Sequence, residues 1–86
     1  MISPGCLVYK GWNYKGRPIL DTKSQIGIII SSPIQALMAV ERLSKKGPQW
    51  DLDVQDEVTE TVAVLWPDGL TKYHAVCNLV EVNKNG

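Results

Sequence analysis

The chain has 86 residues, enough for one domain and too few for a second. At 44% hydrophobic and 21% charged residues it has the composition of a folded globule, which excludes a disordered tail. Nine Lys and Arg balance nine Asp and Glu, so the net positive charge that a nucleic-acid-binding domain usually carries is missing.

Charge is nonetheless segregated along the chain. Residues 1–46 hold seven cations (Lys10, Lys15, Arg17, Lys23, Arg42, Lys45, Lys46) against Asp21 and Glu41, and seven minus two gives +5. Residues 47–86 hold Lys72 and Lys84 against seven acids, and two minus seven gives −5. Small β domains interleave distant strands, so the two halves are expected to neutralise each other within one fold. The longest apolar stretch, Ile26-Gly27-Ile28-Ile29-Ile30, falls far short of the roughly 20 residues of a membrane helix. No charged segment followed by an apolar one opens the chain, so no secretory signal is expected. Synthesis and residence in the cytoplasm, with Cys6 and Cys77 as reduced thiols, are the expectation.

In chain order, Gly5-Cys6-Leu7-Val8-Tyr9-Lys10 reads as a first strand over about 5–10. Gly11, Gly16 and Pro18 punctuate a loop or loose hairpin over 11–24. The isoleucines of 25–31 suit a second strand, since β-branched side chains fit a pleated surface. Gly27 within it marks a bulge or a close backbone approach. Ser32-Pro33-Ile34-Gln35 carries the signals of a helix start: a capping Ser32, Pro33 at the first position and Gln35 completing a capping box. Leu37, Val40 and Leu43 give a partial apolar stripe, and Lys45-Lys46 before Gly47-Pro48 suits a helix end. A helix over about 33–46 is therefore expected, followed by an acidic loop over 47–57.

Residues 58–66 read as a strand, Pro67-Asp68-Gly69 as a turn, and 70–76 as the returning strand. A three-residue loop there sets Trp66 opposite Leu70 and Val62 opposite His74. After a short turn at Cys77-Asn78, a last strand runs over 79–82 and Asn83–Gly86 forms a polar tail. Pairing of the first strand with the last would close a small antiparallel barrel and remove both edges.

Pro4-Gly5-Cys6-Leu7-Val8, Ile26-Gly27-Ile28-Ile29, Val62-Ala63-Val64-Leu65-Trp66-Pro67-Asp68-Gly69 and Leu79-Val80-Glu81-Val82 together resemble small SH3-like barrels of the KOW or Tudor kind. Many short proteins of this look are encoded by tailed bacteriophages. The resemblance covers most of residues 4–82 outside the helix. It implies a mainly β fold, a five-stranded antiparallel SH3-like barrel with one inserted helix. It also implies a structural viral protein that passes from the host cytoplasm into a virion. Cys6 stands where that pattern has a polar residue.

Catalytic constellations are sparse. Asp51, Asp53, Asp56 and Glu57 lack the central glycine and distal glutamate of a calcium loop, so no metal site is expected. His74 is the only histidine and has no serine, cysteine or carboxylate partner legible in the sequence. Cys77 near it lies in a turn with nothing to complete a Cys–His dyad. Cys6 and Cys77 make no C-x-x-C, so zinc and dithiol chemistry have no scaffold. A protein without enzymatic activity or cofactor is the expectation.

The aromatics say more. The chain has no phenylalanine, so each of Tyr9, Trp12, Tyr14, Trp50, Trp66 and Tyr73 carries a polar handle of the kind enriched at interfaces. Trp12, Tyr14, Ile19, Leu20 and Trp50 fall in loop-like stretches and are the candidate partner-binding residues. The first expectation is a structural or interaction protein docked on a larger assembly, with a protein partner or further copies of itself. The alternative is a nucleic-acid-binding accessory domain using Lys10, Lys15 and Arg17 with Trp12 and Tyr14 as stacking platforms.

Overall fold

A computed structural model describes residues 2–21 and 23–82, so the expected polar tail lies outside the described residues. Seven strands follow in order: β1 (Leu7–Tyr14), β2 (Arg17–Leu20), β3 (Gly27–Ile29), β4 (Ile34–Lys46), β5 (Gln49–Leu65), β6 (Thr71–Ala75) and β7 (Leu79–Glu81). A single 3-10 turn over Val76–Asn78 joins β6 to β7, at the turn expected from Cys77-Asn78. All ladders are antiparallel, and the fold is mainly β as expected.

The sheet runs β2-β1-β3-β5-β4, with β6 added to β5 and β7 added to β1. The first and last strands do pair, Val8 with Glu81 and Lys10 with Leu79. They do not close a barrel, because the ladder path begins at β2 and ends at β4. Seven strands stand where five were expected. The first strand runs on through Tyr14 and turns back as β2, and the 33–46 segment adds another.

That segment is the main correction. Residues 34–46 form β4, not a helix, and the expected acidic loop at 47–57 is the first half of the 17-residue strand β5. The two pair over thirteen positions from Ile34–Thr61 to Lys46–Gln49. Helix signals at Ser32–Gln35 are weak local preferences, and a long ladder with a strongly patterned partner overrides them. Gly47-Pro48 is a two-residue hairpin loop rather than a helix stop. Gly47 takes φ 61°, as the first central residue of a type II′ turn requires.

The hairpin also brings the two charged halves together, as expected. Arg42 and Glu57 form an ion pair at 2.8 Å, and Lys46 stands 3.9 Å from Asp51. The β5–β6 register is the one the spacing predicts: Val62 opposes His74, and the Trp66 N–H donates to the Leu70 carbonyl at 3.0 Å.

Val8, Ile29, Val62, Val64 and Leu79 make the core, with Ile2, Cys6, Trp66 and Val76 packed against it. Gly27 supplies the expected close approach: a Cβ there would lie 2.5 Å from Val64 Cγ1 and 2.8 Å from Trp66 Cε3. No helix among the described residues is long and apolar enough to cross a membrane.

Candidate functional site

Two hairpins end side by side. In the first, β1 and β2 join through Lys15-Gly16, and Tyr14 opposes Arg17. In the second, β4 and β5 join through Gly47-Pro48, and Lys45 opposes Trp50. Directly opposed residues in an antiparallel pair share a face. The tips therefore present Tyr14 with Arg17 and Trp50 with Lys45 as units.

The tips meet through their rings. Tyr14 and Trp50 stand edge to face with centroids 4.9 Å apart and planes at 86°. Aromatic pairs favour this arrangement because the positive edge of one ring meets the negative face of the other. Lys15 Nζ lies 5.4 Å from the Tyr14 centroid, and Lys45 Nζ 5.5 Å from that of Trp50. Both are within range of a cation–π attraction. Between the tips lies a cleft of about 490 Å³, walled by these rings, by Lys15, Arg17 and Lys45, and by the apolar edge of Pro18 and Ile19. No carboxylate lines it. Lys15 holds φ 51°, a left-handed conformation that costs a side-chain-bearing residue roughly 1 kcal/mol.

Of the five residues expected to bind a partner, Tyr14, Ile19 and Trp50 meet at this cleft. Trp12 does not: its indole N–H donates to the Glu41 carboxylate at 3.2 Å, tying β1 to β4. Leu20 opposes Gly11 on the other face of the first hairpin from Trp12 and Tyr14. Lys10, expected to join a basic surface, lines a separate cleft of about 230 Å³ with Lys23, Trp66 and His74. There the Trp66 indole N–H donates to His74 Nε2 at 3.0 Å, so that nitrogen already accepts a hydrogen bond. Among the described residues no three His, Cys, Asp or Glu side chains group as metal ligands.

Lys45 was missed as a site residue because it was read as a helix end. The signal was present: a two-residue loop at Gly47-Pro48 sets 45 opposite 50. Strand alternation then sorts the acidic cluster. Asp51, Asp53 and Glu57 fall on the face of β5 opposite to Trp50, while Leu52, Val54 and Val58 share its face.

That shared face also carries Glu41, Asp56 and Glu60, and around Leu37 and Val58 it is apolar and open. Leu37 opposes Val58, at 66% and 71% exposure, and Leu43 opposes Leu52 beside the exposed Val54. The other face of β4 is covered over its middle, with Val40 fully buried and Ala36 and Met38 half-buried. A second exposed apolar group, Ile28, Ile30, Leu65 and Tyr73, lies across β3, β5 and β6. No family model, curated protein or solved structure matches the chain.

Proposed function

We propose that this chain is a non-enzymatic structural protein that docks on a larger protein assembly through the open face of the β4–β5 hairpin. The carrying observation is the opposed pair Leu37 and Val58, the most exposed of the large apolar side chains. Ile34 to Val40 reads as a strand apolar on both faces, the pattern of a strand buried on both sides. This chain covers Ala36, Met38 and Val40 on one side and leaves Leu37 and Ala39 exposed on the other. A contiguous apolar patch above a few hundred Å² on a small protein usually marks an interface.

The occupant is a second protein with an apolar strip bordered by basic residues. Asp56 and Glu60 share the open face with Val58, and like charges opposite them would be unfavourable. The resemblance to small SH3-like barrels of tailed bacteriophages makes a virion the setting. In that reading the sheet is an opened relative of such a barrel, with β1 on β7 as its remaining closure.

Co-purification identifies the partner, and titration of the two purified proteins tests the face. Leu37→Lys combined with Val58→Glu, which keeps an opposite-charge pair across the ladder, should leave the melting temperature near that of the parent and weaken binding about thirtyfold or more, with a shallow salt dependence. Unchanged affinity would overturn the reading. A concentration-dependent dimer of the chain alone, abolished by the same substitutions, would replace the partner by a second copy.

A further inference from the structure

We infer that the cleft between the two hairpin tips binds single-stranded nucleic acid, with bases stacked on Trp50 and Tyr14 and phosphates held by Lys15, Arg17 and Lys45. The inference stands apart from the docking face and goes beyond it. Neutral net charge argues against nucleic acid only where acids lie among the cations, and at this cleft none does. Alternation along β5 turns Asp51 and Asp53 away from Trp50, and Lys46 lies close to Asp51 on that far side. The nearest acids on the face of Trp50 stand farther along the hairpin: Glu41, four residues from Lys45 or roughly 13 Å at the strand rise and already accepting from the Trp12 indole, and Asp56, six residues from Trp50 or roughly 20 Å. Three cations therefore face the cleft with no acid among its walls.

The rings and charges are arranged as a single strand requires. Trp50 is 44% exposed, so part of its ring surface is open to a ligand base. Two ammonium groups stand over the rings, Lys15 over Tyr14 and Lys45 over Trp50, rather than at random on the surface. A base that stacks on either ring takes the ammonium's place on that face, and the flexible lysine stem carries the charge a few ångströms to the base's own phosphate. Every base has a π-face, so this arrangement is sequence-tolerant. A cleft of about 490 Å³ falls within the usual range for ligand sites. A duplex keeps its bases stacked inside and offers no face to Trp50, which sets the specificity for single strands. An acidic protein segment could satisfy the cations but would leave the ring faces unused, so nucleic acid is the better match.

The test is a fluorescence-anisotropy titration of a short labelled oligothymidylate with the intact protein. The same strand in a duplex and polyglutamate serve as comparisons. Oligothymidylate should bind in preference to both and should quench tryptophan emission. Trp50→Ala should weaken it roughly 5- to 150-fold, the range for losing one stacked base, while Trp50→Phe keeps most of the affinity. With three phosphate contacts, binding should fall roughly 20-fold between 50 and 200 mM salt, and Lys45→Gln should flatten that slope by about a third. Leu37→Asp should change nothing, which separates this site from the docking face. Equal binding of the duplex, displacement of the oligonucleotide by an equal concentration of polyglutamate, or full affinity in a folded Trp50→Ala variant would each overturn the inference.

Discussion

The Asn78 side chain takes the place of a missing strand beside Glu41. Its carbonyl oxygen accepts from the Glu41 backbone N–H at 3.0 Å, and its amide donates to the Glu41 carbonyl at 2.7 Å. An amide side chain presents one donor and one acceptor in the same spacing as a peptide unit, so it can satisfy an exposed strand edge at one residue. Asn78 is itself buried, and Glu41 in turn accepts the Trp12 indole N–H. Three distant segments are thus fastened at one position of β4.

Asn78→Ala should therefore destabilise the fold by about 1–3 kcal/mol, because a half-buried donor and a half-buried acceptor on Glu41 both lose their partner. Urea unfolding measures it. A loss under about 0.5 kcal/mol would mean that water or a shifted β4 takes over both bonds.

His74 predicts a pH dependence. Trp66 donates to Nε2, so the imidazole is neutral with its proton on Nδ1. Burial, and then the charges of Lys10 and Lys72, hold its pKa below the ordinary 6.5, with Glu41 opposing. The unfolded chain therefore binds the proton more readily than the folded one. Stability from this residue is full above the ordinary pKa and is lost as pH falls from there through the lowered folded value. His74→Gln should remove that part of the slope in unfolding free energy as pH falls below the ordinary 6.5. Parallel slopes for parent and variant would exclude His74 as the linked group.

Gly27→Ala should cost roughly 1–3 kcal/mol, since the added methyl meets Val64 and Trp66 at distances no relaxed contact shows. The loss should couple to its neighbour. Introduced together with Val64→Ala, it should be smaller than when introduced alone, because the shortened side chain makes room. Strict additivity of the two losses in chemical denaturation would place the clash elsewhere.

Elements whose pattern is local are legible in the chain alone. Turn chemistry at Pro67-Asp68-Gly69 sets the β5–β6 register, and the β-branched run around Ile28 and the Leu79-Val80-Glu81 segment form strands wherever they pack. The aromatic and basic residue types of the cleft were also legible, Tyr14, Trp50, Lys15 and Arg17 among them, but not their assembly. The misread segment shows why. Apolar residues on both faces of β4, Ala36, Met38 and Val40 on one and Leu37 and Ala39 on the other, erase the period of two and leave spacings that mimic a helix. Its partner kept the signal, Trp50, Leu52 and Val54 alternating with Asp51 and Asp53, yet the acids read as a solvated loop.

The folded state settles that these two segments pair. Thirteen register positions outweigh helix preferences worth a few tenths of a kcal/mol per residue. It decided the site for the same reason. Tyr14 and Trp50 are 36 positions apart, and no local rule connects them. The turns at Lys15-Gly16 and Gly47-Pro48 bring their rings to 4.9 Å, and alternation along β5 sends Asp51 and Asp53 to the other face. Residue types belong to the chain; which of them share a face is fixed by strand register, and register is a property of the folded pair.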